Sequence, residues 1–235
     1  MNHTDITVVI PTKNEEKNIL RFLSRLPDFI KLTVVDSSDD RTRELINIKR
    51  QQNTEIIFKE CTIPEARQLG AEQVATPWIL YSDADMVFDE KYFRNLETLK
   101  IDNKVGAVMG AKRSKKSYRW YYFLYSYSIW IFSKMGIPIG SGSNMIIRKK
   151  ALENVGGFDF ALTHSEDNDI LIRIKKAGWR VIYSNKLIVY EEDHRRLEKG
   201  VFKKFGHGTL RAFMLYSGLF KKKVRKSDWG YWQEK

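Results

Sequence analysis

The segment ITVVIPT, residues 6–12, decides the fold class of this chain. Its run of β-branched and apolar residues is typical of a strand buried on both faces of a parallel sheet. Comparable runs follow at LTVVDSS (32–38), at residues 55–59 and at WILYS (78–82). Helical stretches separate these strands. Repeated βα units predict a mostly parallel central sheet flanked by helices, with ligands at the carboxyl ends of the strands.

The stretches between the strands carry helix signals. In the first, Ile19, Leu20, Leu23 and Leu26 are spaced to share one face, and Pro27 ends the helix. Residues 41–50 form the second predicted helix. Pro64 opens the third helix, because proline suits the first helical position.

The second half of the chain is less regular. It contains predicted strands at 105–110, 143–148, 180–183 and 187–190, a nearly all-apolar helix at 118–134, and a helix from 166 to 177 that Gly178 ends. We expect one Rossmann-like α/β domain over residues 1–195, followed by a basic, aromatic helical tail at 196–235.

Composition agrees with a folded domain. Hydrophobic residues make up 43% of the 235 residues and aromatic residues 13%, enough for a substantial core. The single cysteine, Cys61, excludes an intramolecular disulfide and agrees with a reducing compartment. No signal peptide is visible, and the longest apolar run, residues 120–133, is shorter than the roughly 20 residues of a spanning helix. We therefore expect a cytoplasmic protein.

The net charge of +12 is concentrated in two segments. Residues 194–226 carry eleven Lys and Arg against one acid, Glu198. A second cluster, without acids, comprises Lys112, Arg113, Lys115, Lys116 and Arg119. Such patches favour phosphate-bearing partners, namely a nucleotide, an anionic membrane or a nucleic acid.

The strongest local motif is Asp83-Ala84-Asp85, directly after the strand WILYS. Two carboxylates one residue apart at a strand end can converge on a hard cation. Mg²⁺ and Mn²⁺ take oxygen ligands and commonly bridge protein carboxylates to a diphosphate. An isolated motif of this kind is more often a polar turn, so its context decides.

Four further motifs supply that context. In chain order they are VIPTKNE (9–15), VVDSSDD (34–40), ARQLGA (66–71) and GSNMIIR (142–148), the last leading on to GGFD (156–159) and Glu166-Asp167. Together with Asp83-Ala84-Asp85, this ordered set resembles the family 2 glycosyltransferases, which have the GT-A fold, over roughly residues 5–195.

The resemblance implies roles for individual positions. Pro11, Thr12 and Glu15 would line the nucleoside pocket, Asp36 would bond the base or ribose, Arg67 would face the diphosphate and Asp83 would hold the ribose. Asp85 would coordinate Mn²⁺ or Mg²⁺, with His194 as a further ligand. Asp167 would be the catalytic base, with Glu166 and His164 on the acceptor side. The nucleotide-sugar half would cover about 1–110 and the acceptor half about 111–195.

The implied reaction is metal-dependent and inverting. A UDP- or GDP-linked sugar would pass to a saccharide hydroxyl or to a lipid-linked acceptor such as a polyprenyl phosphate. Arginine offers a forked donor to phosphate, and a carboxylate can take the acceptor proton. Neither the sugar, the base, the acceptor nor the oligomeric state follows from the sequence.

Aromatic residues crowd residues 120–132 and recur in the tail at Phe202, Phe205, Phe213, Tyr216 and Phe220, interleaved with Lys and Arg. This pattern suits an interfacial helix with a polybasic anchor at the inner face of a membrane. An ordinary packed helix or an oligomer interface would show the same pattern, and these alternatives stay open.

Other interpretations compete at single residues and for the whole chain. Glu15 could merely cap a helix, Glu166 could be a helix-terminal acid, Arg67 could be a surface charge and His194 a solvated histidine. A nucleic-acid-binding or nucleotide-binding protein without transferase activity would explain the basic charge, but not the carboxylates at the strand ends. A nucleotidyltransferase usually has a glycine-rich loop where this chain has residues 11–15 without glycine.

Overall fold

The computed structural model describes residues 1–162, 165–192 and 197. In these residues eight strands form one sheet in the order β3-β2-β1-β4-β7-β6-β8-β5. The strands are β1 (Ile6–Thr12), β2 (Lys31–Asp36), β3 (Thr54–Phe58), β4 (Trp78–Ser82), β5 (Met86–Phe88), β6 (Val105–Arg113), β7 (Asn144–Arg148) and β8 (Arg180–Glu191).

The predicted βα units form one side of the sheet. Strands β3, β2, β1 and β4 are mutually parallel. The intervening helices are α1 (Ile19–Leu23), α2 (Thr42–Lys49) and α3 (Ile63–Gln73). Thr12 and Asp36 are register partners, so β1 and β2 end side by side. The carboxyl ends of the parallel strands therefore share one edge, as predicted.

The β-branched strands are buried on both faces, as their composition predicts. Along β1, Val8 and Ile10 point into one hydrophobic cluster, whereas Val9 between them points into the other. Helix α1 is shorter than the predicted amphipathic stretch, and Leu20 was wrongly placed on its inner face. Leu20 is exposed and Phe22 is buried in its place.

The other half of the sheet, from β7 to β5 in the strand order, mixes parallel and antiparallel pairs. Strand β7 is antiparallel to both β4 and β6, and β5 is antiparallel to β8, whereas β6 and β8 are parallel. Residues 180–191 form one strand rather than the two short strands that we predicted. The register between β6 and β8 shifts at Gly110 and Ala111, which accommodates the interruption in the sequence pattern.

In the described residues of this half the helices are α4 (Tyr92–Glu97), α5 (Arg119–Lys134), α6 (Lys149–Asn154) and α7 (Glu166–Lys176). Helices α5 and α7 match the predicted helices closely. Strand β5 and helices α4 and α6 are too short for a periodic signal and were not predicted. Within the described ranges, no helix is both long and apolar enough to cross a bilayer.

Candidate active site

The first part of the site lies where β1 and β2 end. Thr12 donates its hydroxyl to Asp36 Oδ1 at 2.5 Å, and Ser38 donates to the same oxygen at 2.6 Å. Arg43 Nε lies 3.0 Å from Asp36 Oδ2. Asp36 has no exposed surface, so its carboxylate holds the two strand ends and Arg43 together.

The loops that follow these strands are joined by polar contacts. The Asn14 and Glu15 backbone N–H groups donate to Ser38 Oγ and Thr42 Oγ1, at 2.8 and 2.9 Å. The Glu15 carboxylate accepts from Asn18 Nδ2 at 2.8 Å, just before α1. Glu15 thus contacts the start of α1, which agrees with the capping interpretation and leaves its predicted nucleoside contact untested.

Arg43 also covers an aromatic ring beside Asp36. Its guanidinium lies 4.1 Å from the centroid of the Phe58 ring, and 61% of Phe58 is exposed. Phe58 ends β3, the strand next to β2 in the sheet. A flat ring beside a guanidinium, at the end of a parallel strand, gives a surface on which a planar base can stack. Arg43 and Phe58 were not among the predicted site residues.

The second part of the site is centred on Arg67 in α3. Its Nη2 donates to Asp83 Oδ1 at 3.1 Å, and its Nη1 pairs with Glu166 at the start of α7. Arg67 is buried, which rules out the interpretation as a surface charge. Gly142 leaves room for the guanidinium, because a Cβ at residue 142 would lie 2.3 Å from Nη1.

Asp167 lies next to Glu166 and is fixed at both carboxylate oxygens. The Gly142 N–H donates to its Oδ2 at 2.9 Å, and the Asn168 N–H donates to its Oδ1 at 2.8 Å. Asn168 Oδ1 in turn accepts from the Gly140 N–H at 3.1 Å. The Gly142 N–H of the loop before β7 and the Asn168 N–H of α7 therefore orient the predicted catalytic carboxylate.

The third part of the site surrounds Asp85. Its Oδ1 is buried and accepts no hydrogen bond from the described residues. Lys112 pairs with Glu191, which lies opposite Met86 in the β5–β8 ladder and therefore near Asp85. Lys112 is thus an internal partner rather than a member of the phosphate-seeking surface cluster in which we predicted it.

Burial and like charges raise several pKa values here. Burial, then the nearby Glu191 and Asp83, raises the pKa of Asp85 to about 8. Burial raises the pKa of Glu166 to about 7, although Arg67 opposes the shift. Burial also raises the pKa of Asp167 above its usual range. Carboxylates that are costly to ionise in a cleft mark a candidate functional site.

The residues fit a divalent cation shared with a ligand. Within the described part of the chain, no group of three or more His, Cys, Asp or Glu side chains forms a complete metal cage. Mg²⁺ and related ions are often held by one or two carboxylates plus substrate phosphates. Asp85, with its unpartnered buried oxygen, and its neighbour Asp83 match that arrangement.

The nine predicted site residues with described positions all lie at one edge of the sheet. Pro11, Thr12, Glu15 and Asp36 lie at its β1–β2 end, and Arg67, Asp83, Asp85, Glu166 and Asp167 lie around β4 and α7. His164 and His194 lie outside the described residues. Sequence reasoning missed Glu191 and the role of Lys112, because the pairing of β5 with β8 has no sequence signal.

Comparison with known proteins gives the family. The model of Glycosyl transferase family 2 matches residues 7–156, which is well over half of the chain. Among curated proteins, the succinoglycan biosynthesis protein ExoA of Rhizobium meliloti (strain 1021) is 31% identical over 71 residues. That stretch covers 30% of this chain and 22% of ExoA.

Solved structures show the same fold. Mannosyltransferase PcManGT from Pyrobaculum calidifontis, in complex with GDP-Man and Mn²⁺, superimposes with a TM-score of 0.69 at 20% identity, over 83% of this chain and 59% of that one. TarS 1-349 from S. aureus, in complex with UDP, gives 0.64 at 18% identity, over 81% and 60%. The chain therefore spans less than two thirds of each of these proteins. Its fold is the GT-A fold, and the chain belongs to glycosyl transferase family 2.

Proposed function

We propose that this chain is an inverting glycosyltransferase that moves a sugar from a UDP- or GDP-linked donor to a hydroxyl or a lipid phosphate. One observation carries the proposal. Arg67 joins Asp83, from the motif after β4, to Glu166, next to Asp167 at the start of α7. This contact supports a single site for donor and acceptor chemistry at one edge of the sheet.

The nucleoside would lie over the β1–β2 ends. Pro11, Thr12 and Glu15 supply the wall, and the exposed Phe58 ring offers a stacking surface. Asp36 can bond a base or ribose only if Arg43 releases Oδ2, because Thr12, Ser38 and Arg43 occupy its carboxylate. PcManGT was solved with GDP-Man and TarS with UDP, so both bases stay open for this chain.

Asp85 would hold a divalent cation together with the donor diphosphate, and Asp83 would approach the ribose while paired to Arg67. A bound Mn²⁺ or Mg²⁺ would neutralise charge on the departing nucleoside diphosphate. The buried, unpartnered Oδ1 of Asp85 supports this assignment. Mn²⁺ is present in the PcManGT complex.

Asp167 would act as general base. It takes the acceptor proton while the acceptor oxygen bonds to the anomeric carbon and the bond from that carbon to the diphosphate oxygen breaks. Attack opposite the leaving group inverts the anomeric centre. The Gly142 and Asn168 N–H groups hold the carboxylate in place. Its raised pKa makes the carboxylate a stronger base than an ordinary aspartate.

The acceptor half would be residues 111–195, with Glu166 on the acceptor side, and residues 196–235 would form a separate tail. A lipid-linked acceptor would place the protein at the cytoplasmic face of a membrane. Such a phosphate is already anionic near neutral pH, since a second phosphate pKa is about 6. That acceptor would depend less on a general base.

A donor panel tests the proposal. We expect purified protein with Mn²⁺ to release UDP or GDP from one nucleotide sugar in the presence of acceptor, and NMR of the product to show an inverted anomeric configuration. Asp167→Asn should reduce turnover on a hydroxyl acceptor strongly. The matched control is Asp169→Asn, on the same helix, which loses only its pair with Arg173. A product with retained anomeric configuration would refute the mechanism. So would an Asp167→Asn variant that keeps the turnover of the parent protein with every donor tested.

A further inference from the structure

Helix α5 leaves one of its faces exposed although it is apolar nearly all round. Its inner face is buried through Tyr121, Tyr122, Ser126 and Ile129. Between Arg119 and Lys134, which begin and end the helix, every exposed position is apolar or aromatic: Trp120, Phe123, Leu124, Tyr127, Trp130 and Ile131, with Met135 just beyond the helix. We call these seven residues the α5 stripe. Such a stripe on a domain surface marks an interaction site.

The rings of the stripe are ordered against one another. Phe123 stacks on Tyr127 with centroids 6.3 Å apart and planes within 4°, and Tyr127 stacks on Trp130 at 5.4 Å. Trp120 and Phe123 remain 57% and 56% exposed. The stripe is therefore a row of stacked rings that are largely exposed to solvent.

Positive charge borders the stripe. Residues 103–152 contain ten Lys and Arg and no Asp or Glu. At the start of α5, an open groove of about 790 Å³ is lined by the cations Arg113, Lys115 and Arg119 together with Trp120, Phe123 and Leu124. Lys134 lies at the other end of the helix. Cations thus flank an apolar surface at both ends.

We propose that the α5 stripe and this groove dock the protein on an anionic lipid bilayer. Tyr and Trp favour the interface between headgroups and acyl chains, and nearby Lys and Arg attract anionic headgroups. A helix of 16 residues is about 24 Å long, too short to span the hydrocarbon core, but suited to lie in its plane. A second copy of the chain is a less suitable partner, because two such surfaces would bring like charges together.

The docking surface adjoins the acceptor side of the site. On the inner face of α5, the Tyr125 hydroxyl lies 3.5 Å from the Gly140 carbonyl, and the Gly140 N–H donates to Asn168 next to Asp167. Docking through α5 would therefore bring the loop before β7, which contains Gly140, close to the lipid surface. The proposal stands on the stripe and its charges and does not require the proposed reaction.

Vesicle co-sedimentation of the full chain tests the proposal. We expect binding to vesicles of equal parts phosphatidylcholine and phosphatidylglycerol, and much weaker binding to phosphatidylcholine alone. Phe123→Ser with Tyr127→Ser should weaken binding about tenfold or more. Lys115→Gln with Arg119→Gln should weaken it about thirtyfold, since each cation near the surface contributes about a factor of five. The matched control is Phe29→Ser with Ile48→Ser, two apolar residues elsewhere that are at least as exposed as Phe123 and Tyr127.

A local label distinguishes binding through this surface from binding through the basic tail at 196–235. In a Cys61→Ser background, Tyr127→Cys carries an environment-sensitive fluorophore, and Ile48→Cys carries it as the control. We expect the label at 127, but not at 48, to shift to the blue on anionic vesicles. Vesicle binding that is unchanged in both α5 variants, or no blue shift at 127, would overturn the proposal. The proposal would also be overturned if the α5 variants converted a dimer into monomers without changing lipid binding.

Discussion

Arg67 and Asp83 form an ion pair in which guanidinium Nη2 lies 3.1 Å from carboxylate Oδ1, and the same guanidinium pairs with Glu166. Arg67 is buried and Asp83 lies at the open edge of the sheet. One cation on α3 thus connects the motif after β4 to the start of α7. The resemblance implied that Arg67 faces the diphosphate, whereas its planar fork here serves two carboxylates of the protein.

Removal of this cation should destabilise the fold. Arg67→Met leaves Glu166 buried without its counter-ion, and breaking a buried pair typically costs about 3–5 kcal/mol. Arg67→Lys keeps the charge but loses the fork, so its loss should be smaller. Urea unfolding measures both. Arg41→Met, which breaks an exposed pair with Glu44, should not change the unfolding free energy measurably, and an equal effect of Arg41→Met and Arg67→Met would contradict the account.

Gly142 should be required for stability and turnover, because the Arg67 guanidinium packs directly against it. In Gly142→Ala the new Cβ would lie 2.3 Å from Arg67 Nη1, and two ion pairs restrain that guanidinium from moving away. We expect a loss of about 1–3 kcal/mol in stability together with most of the turnover. Gly140→Ala meets mainly the flexible end of Met109 and should lower stability while leaving more turnover. The reverse order of the two turnovers would contradict this.

Stability without ligand should fall as pH rises. Asp85, with a pKa of about 8, and Glu166, with a pKa of about 7, bind protons more tightly when folded than in the unfolded chain, where carboxyl pKa values are about 4. The folded state therefore holds more protons between about pH 4 and pH 8, and the free energy of unfolding decreases across that window.

Asp85→Asn should flatten this decrease and make the ligand-free variant more stable than the parent near pH 8. Thermal unfolding across the pH range measures the effect. Asp39→Asn, at an exposed carboxylate after β2, should follow the parent curve. If the stability of Asp85→Asn decreased with pH in parallel with that of the parent, Asp85 would ionise normally in the folded chain.

Asp167→Asn should distinguish acceptor classes. It should reduce turnover on a hydroxyl acceptor by about 10²–10⁴-fold, the usual contribution of general base catalysis, while the Kd for donor nucleotide stays unchanged. With a lipid phosphate acceptor the loss should be only moderate, because that nucleophile is already ionised. Steady-state rates with both acceptors measure this difference. Equal losses of turnover with the two acceptors would show that Asp167 does not act as a base.

The sequence predicts the parallel part of the fold well, because β1, β2 and β4 are apolar runs followed by polar strand ends. It also predicts α5 and α7, whose lengths give clear boundaries. The order of β5 to β8 is beyond sequence reasoning, since antiparallel pairing at the edge depends on contacts between residues about a hundred positions apart, such as Met86 and Glu191. The short β5, α4 and α6 give no periodic signal.

The candidate site, like the fold, could be predicted only in part. Motif positions at strand ends, such as Asp36, Asp83 and Asp85, lie where the sequence places them. Their partners could not be predicted, because Arg43, Lys112 and Glu191 approach from other elements. Lys112, which was predicted to belong to a surface cluster, and Arg67, for which a surface charge was the alternative interpretation, are inside the protein because the buried carboxylates of Glu191 and Glu166 compensate their charges.

Calorimetric titration of the full chain with UDP and with GDP, in Mn²⁺ and then in EDTA, tests the central claim most directly. We predict binding of one nucleotide that requires the metal and is lost in Asp85→Ala, with the fold intact by circular dichroism. Absence of binding to both nucleotides by folded protein, or binding that neither EDTA nor Asp85→Ala weakens, would contradict a metal-dependent donor site at this edge of the sheet.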